Sequence, residues 1–172
     1  MMLLINYQEK WAEDFEQIKQ VLLGQLSSNV RIQIEHIGST AIPGLMAKPI
    51  IDIDLIYFSA DEFTVTLEEL RGIGYYHNGD QGIKGREVFK RTKNQNHPVL
   101  DSIKHHLYVC HKDSDELKKH LLFRDKLRND REVLENYAAL KLHLATKANQ
   151  DRKLYAQLKE SEAKAFFEKI LK

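Results

Sequence analysis

One cysteine, three prolines and one tryptophan are all that this 172-residue chain holds of those residue types. With Cys110 alone, no intramolecular disulfide can form, and a reducing compartment, the cytoplasm, is the expected location. Neither sign of charge dominates: 26 Lys and Arg stand against 25 Asp and Glu, a formal net charge of +1. No global field therefore draws the protein onto DNA, RNA or an anionic membrane, and a nucleic-acid role has to rest on a local patch. No apolar stretch approaches the length a bilayer demands, and the run Met1 to Ile5 is too short for a signal-peptide core. A soluble protein without a membrane partner is expected. Repeats and low-complexity tracts are missing, and the glycines match no nucleotide fingerprint. His36, His105 and His106 are metal ligands by type, but their spacing matches no structural zinc site.

What is present reads as one domain over residues 1–172, of the α+β class. Asn6 and Glu9 have capping-box spacing, and Trp11, Phe15, Ile18 and Leu22 recur at helical intervals up to Gly24. Arg31 to Ile37 alternates as a strand, and Pro49 introduces a β-branched run from Ile50 to Tyr57. Asp61 is placed to cap a helix through about Arg71, ended by Gly72 and Gly74. Short strands are expected at Tyr75 to His77, Arg86 to Arg91 and His105 to Cys110, with Asp101 in a loop between the last two. After Asp113, which with Glu116 forms a second capping-box pattern, the chain is helical and free of proline. Three helices are expected there, the last carrying Leu154, Leu158, Ala165, Phe166 and Ile170. They cover the sheet.

The most informative stretch is Ile37-Gly38-Ser39-Thr40 followed by Ile51-Asp52-Ile53-Asp54-Leu55. Successive strand side chains point to opposite faces, so Asp52 and Asp54 share one face, roughly 7 Å apart. Two carboxylates on one face of an apolar strand repel each other unless a cation or a donor sits between them. A hard divalent ion such as magnesium, which takes carboxylate oxygens together with substrate phosphates, relieves that repulsion. The Gly-Ser turn can offer backbone N–H groups and a hydroxyl to a phosphate, or it is an ordinary tight turn held by local bonds. Lys48 either pairs with Asp52 or reaches a phosphate. Arg86 and Arg124 are candidate phosphate clamps, whereas Arg128, four residues beyond Arg124, fits a surface salt-bridge network.

The string His36-Ile-Gly-Ser-Thr-Ala-Ile-Pro-Gly-Leu45, then Ala47-Lys-Pro-Ile-Ile-Asp-Ile-Asp54, resembles the signature of the GrpB family. Gly85-Arg86 with Phe89, His106-Leu107, Leu122 to Arg128 and Tyr137 to Lys141 agree with it in order and spacing. That family is grouped with the nucleotidyltransferases of the polymerase β type, whose pattern is a Gly-Ser turn followed by Asp-x-Asp on the next strand. The resemblance implies a nucleotidyltransferase-like mixed sheet with an N-terminal helix and C-terminal helices packed against it. It also implies metal-dependent transfer of a nucleotidyl group from a nucleoside triphosphate to an acceptor it does not identify. Asp52 and Asp54 would then hold magnesium or manganese, and Gly38, Ser39, Thr40, Lys48, Arg86 and Arg124 would bind phosphates.

The chain departs from the wider pattern by lacking an evident third carboxylate on a neighbouring strand. Glu87 is early in its strand, and His106 stands where a third acid belongs, as a substitute ligand or a general base. Tyr108 occupies a place where relatives often carry histidine. Two further readings stay open: a nucleotide- or phosphometabolite-binding module without catalysis, and a structural partner domain.

Overall fold

Period-two alternation in the middle of the chain and 3.6-residue periodicity at both ends sort the molecule into a sheet with helices on each face. The computed structural model describes residues 3–26, 30–162 and 164–170, so Met1 and Met2 of the N-terminal run lie outside the described residues. The strands are β1 (Ile32–Ile37), β2 (Ile51–Tyr57), β3 (Tyr75–His77), β4 (Glu87–Arg91) and β5 (His105–His111), in spatial order β1-β2-β5-β4-β3. The β2 and β5 strands run parallel and the other neighbours antiparallel. Parallel pairing sets Asp52 beside His106 and Asp54 beside Tyr108. The α+β class and the mixed sheet are those expected from the sequence.

One face of the sheet is dry. Ile34, Ile51, Ile53, Leu55, Leu107, Val109 and Phe89 pack there against Trp11, Ile18 and Leu22 of α1 (Lys10–Gln25), Leu70 of α2 (Ala60–Gly72) and Leu100 of α3 (Pro98–Ser102). The other face meets α4 (Asp115–Asn129), against which α5 (Arg131–Lys147), α6 (Arg152–Glu162) and α7 (Lys164–Ile170) pack in succession. Apolar contact on that side sits at the margins, where Ile56 and Cys110 meet Leu117 and where Ile42 and Leu45 meet Leu127 and Tyr137. Between the margins the sheet presents its polar residues.

Several local expectations are corrected. Asn6 caps nothing: Glu9 is the N-cap of α1 without a side-chain bond, and Gly24 lies inside the helix. Ser59, not Asp61, caps α2 by accepting from the Glu62 N–H. Ser114, not Asp113, caps α4 through the Leu117 N–H. At α2 and α4 a serine at the N-cap position itself reaches the free N–H groups. Asp101 lies in α3 rather than in a loop, where its carboxylate accepts from the Arg91 Nε at 2.9 Å. The last expected helix is two, α6 and α7.

Three side chains at i, i+4 and i+8 on α4 form one stripe and fasten that helix to the sheet. His120 Nδ1 lies 2.8 Å from Asp54 Oδ2. Arg124 Nη1 donates to Glu35 Oε2 at 2.6 Å and to the His36 carbonyl at 3.1 Å, while its Nε donates to Asp125. Arg128 donates through Nε and Nη2 to the Ala41 carbonyl at 2.9 and 2.6 Å.

Candidate active site

The turn after β1 is built around Gly38, whose φ of +71° lies in the left-handed region. A Cβ there would come within 2.5 Å of Asp52 Oδ2, so glycine is what lets the turn close over the acid. A single 3-10 turn, Ser39–Ala41, follows. Thr40 is buried, donating its hydroxyl to the Ile50 carbonyl at 3.2 Å and lying 3.1 Å from His36 Nε2. Its hydroxyl is used to lock the turn onto the start of β2, so where Thr40 lines the cavity its side-chain oxygen is already engaged. His36 points to the dry face, stacked on Phe15 with ring centres 4.7 Å apart. Burial, with Arg128 next, lowers its pKa to about 4. It is thus remote in orientation from His106, and no histidine cluster forms.

Between the polar face and α4 to α7 lies a cavity of about 560 Å³. Gly38, Ser39, Asp52, His106 and Tyr108 form its floor, and Phe123, Tyr155 and Phe167 supply apolar wall. Lys48, Arg86, Lys119, Lys141 and Lys159 line it against two carboxylates, Asp52 and Glu116. Such an excess of cations over acids in a confined space favours a polyanion. The Ser39 hydroxyl makes no hydrogen bond among the described residues.

The two sequence-predicted acids sit differently. Asp52 borders the cavity, and its Oδ1 is 2.8 Å from Nδ1 of His106. That bond places the Nδ1 proton toward the carboxylate and leaves Nε2 of a half-exposed ring free to accept one. Asp54 is fully buried behind His120, with Cys110 Sγ at 3.9 Å from its other oxygen. Burial raises its pKa, opposed by the hydrogen bond from His120. The Cys110 thiol is pushed up as well, chiefly by burial and then by Asp54.

Among the described residues no group of three or more His, Cys, Asp or Glu is placed to hold a metal ion. Two carboxylates on one face, with glycine opening the wall beside Asp52, are still the donor set of a hard cation that completes its shell with phosphate oxygens and water. Asp52 meets those terms at the cavity, whereas Asp54 is sealed behind His120 and does not line it, so of the two acids only Asp52 would reach a magnesium or manganese ion bound there.

Lys48 does not pair with Asp52; its ammonium lies 4.6 Å from the Tyr155 ring centre. Arg86 stacks on Tyr108 at 4.6 Å, and its buried Nε has no hydrogen-bond partner. The Ser114 hydroxyl fixes that loop by donating to the Gly85 carbonyl at 2.8 Å. Arg124 does not line the cavity. Its guanidinium is taken up by Glu35, Asp125 and the His36 carbonyl, so it serves the attachment of α4, and Arg128 does the same rather than joining a surface network.

Sequence reasoning missed His120, Lys119, Lys141 and Lys159. Lys141 is buried, donates to the Met46 carbonyl and has a pKa lowered to about 6, by burial first and then by Lys159. His120 was findable, one turn ahead of Arg124 on the same helix face. The lysines were not, because an isolated lysine in a helix reads as a solvated residue.

The family model described as GrpB protein matches residues 2–172. The glutamate-rich protein GrpB of Alkalihalophilus pseudofirmus is 33% identical over 170 residues, covering 98% of this chain and 93% of that protein. YqkA of Bacillus subtilis is 35% identical over 157 residues, 91% of this chain, which spans only 43% of YqkA. A crystal structure of GrpB from Enterococcus faecalis superposes with a TM-score of 0.75 at 32% identity, covering 97% of this chain and 93% of that one. The poly(U) polymerase Cid1 with MgGTP bound gives a TM-score of 0.57 at 15% identity over 83% of this chain and 44% of that one, a likeness of fold.

Proposed function

This chain belongs to the GrpB family and has a nucleotidyltransferase-like fold, and on that premise we propose that it transfers a nucleotidyl group from a nucleoside triphosphate to an acceptor. The observation that carries this reading is the placement of Asp52 beside the Gly38-Ser39 turn, facing a wall of lysines across one cavity. The free Ser39 hydroxyl and the turn's N–H groups bind phosphate oxygens, and Lys48, Arg86, Lys119, Lys141 and Lys159 neutralise the charge. Phe123, Tyr155 and Phe167 offer apolar surface to the ribose or base. Magnesium or manganese would be held in the cavity by Asp52, with Asp54 behind it on the same sheet face, and would supply charge neutralisation at the phosphates. His106, its ring oriented by Asp52, accepts the acceptor's proton at Nε2. We also place the protein in the cytoplasm; the free, buried Cys110 fits a reducing compartment, and among the described residues no helix is long and apolar enough to cross a membrane.

A binding module without turnover is the second reading, favoured by the complete burial of Asp54 behind His120. Thermal melts with ATP, with and without magnesium, and a pyrophosphate-release assay separate the two. ATP at a hundredfold excess over Kd should stabilise by about 2.7 kcal/mol in the presence of magnesium. Equal stabilisation in EDTA removes the metal from the reading, and binding without pyrophosphate release against any acceptor favours the module.

A further inference from the structure

Next to the main cavity is a second one of about 300 Å³, and the two share Arg86, His106 and Tyr108 as a common wall. The lining of the second cavity contains no carboxylate. Of its cations, Arg91 is spent on Asp101 and on the Ile73 and Gln95 carbonyls. Lys90 is exposed and has no ion-pair partner among the described residues, and Arg86 has none either, its buried Nε being without any hydrogen bond. Lys90, Val88 and Tyr108 share the sheet face that carries Asp52 and His106, since β4 pairs with β5 through Val88 and Tyr108. A cavity with two unspent cations, no acid and a histidine at its border is built for a small anion that reaches toward that histidine.

We propose that the second cavity is the acceptor subsite and that the acceptor is a small alcohol carrying a phosphate or carboxylate group, which Lys90 holds together with Arg86, the guanidinium on the common wall being shared between this group and the triphosphate. The assignment rests on the transferase reading above. With the anion held there, the acceptor hydroxyl faces His106 across the shared wall. Its oxygen forms a bond to the α-phosphorus, its proton passes to His106 Nε2, and the bond to the bridging oxygen of the β-phosphate breaks. That electron pair leaves with pyrophosphate. The small size of the cavity and a net charge of +1 argue for a small acceptor over a nucleic-acid strand.

The test is titration calorimetry on the full chain with glycerol 3-phosphate, glycerate, neutral glycerol and a single-stranded RNA oligonucleotide, each with and without a nonhydrolysable ATP analogue. At least one anionic probe should bind wild type and glycerol should not. Lys90→Gln should weaken the anion by about fivefold, the loss of one exposed charge contact, while leaving affinity for the analogue unchanged. No binding of either anion, or equal binding by the variant, overturns the subsite. Lys90-dependent binding of RNA alone overturns the small acceptor. Failure of wild type to bind the analogue sinks the transferase reading, and any anion binding that persists then marks an anion site without an acceptor role.

Discussion

The two faces of the sheet are made by the same strands and behave as different materials. On β2 and β5 the residues Ile51, Ile53, Leu55, Leu107 and Val109 are at most 2% exposed and belong to one apolar cluster, with His36 the polar neighbour paired to Ile53. The alternate residues Asp52, Asp54, His106 and Tyr108 face helices that bring lysines instead. One residue's step along the strand thus separates what holds the fold from what meets a ligand, because side-chain direction reverses at every residue. The parallel pairing of β2 with β5 is what assembles the polar set, and both flanks of that pair are covered.

The sharpest way to break this comparison is to exchange effects between adjacent positions. Ile53→Ala on the dry face should cost about 3 kcal/mol in denaturant melts, as for other fully buried large-to-small changes, and should leave nucleotide affinity per folded molecule unchanged. Asp52→Asn next to it should change stability little and abolish the magnesium dependence of ATP stabilisation. Similar stability losses at the two sites would show that the faces are not distinct in kind.

Acid should find the dry face through His36. Its pKa falls from 6.5 to about 4 in the fold, by burial first, so the folded state releases a proton that the unfolded chain keeps. The associated stability is complete above pH 6.5 and is lost as pH falls toward about 4, an effect of about 3 kcal/mol in all. Melts between those pH values should show the loss in wild type and not in His36→Gln, even though the substitution itself lowers the starting stability. An unchanged acid slope in the variant would assign the sensitivity elsewhere.

Arg124→Ala tests the attachment of α4 to β1. Removing a guanidinium that meets Glu35, Asp125 and the His36 carbonyl should destabilise by about 2 kcal/mol, with no direct effect on nucleotide binding. A large loss of affinity at full stability would return Arg124 to the phosphate-binding set.

The smallest expected effect lies inside the cavity. Lys141 has a pKa of about 6 when no anion is near, and phosphate favours its charged form. ATP affinity should therefore fall a fewfold as pH rises from about 6 to 8. Lys141→Arg, charged throughout that range, should flatten the profile. A slope that survives the change would exclude Lys141 as its source.

Legibility in the sequence followed the range of the forces involved. The strands β2, β3 and β5 and the long helices were readable because alternation and 3.6-residue spacing are local patterns. Caps were read one to three residues away, since Asn6, Asp61 and Asp113 have the right chemistry but other residues occupy the helix starts. Asp52, Ser39 and Lys48 were named from the Gly-Ser and Asp-x-Asp spacing and meet in one cavity. Thr40 joins them at the cavity wall with its hydroxyl committed to the Ile50 carbonyl, and Arg124, named with them, is turned to hold the scaffold, because residue type does not tell a guanidinium or hydroxyl which partner lies closer. The sequence by itself determined the strands and the long helices, the shared face of Asp52 and Asp54 and the glycine needed at position 38, but neither α3 nor the break between α6 and α7. Only the tertiary structure decided that His120 covers Asp54, that Lys119, Lys141 and Lys159 come from the far end of the chain to face Asp52, and that Arg86 stands between two cavities. Those relations depend on packing between segments dozens of residues apart, and no local pattern encodes a distance across the core.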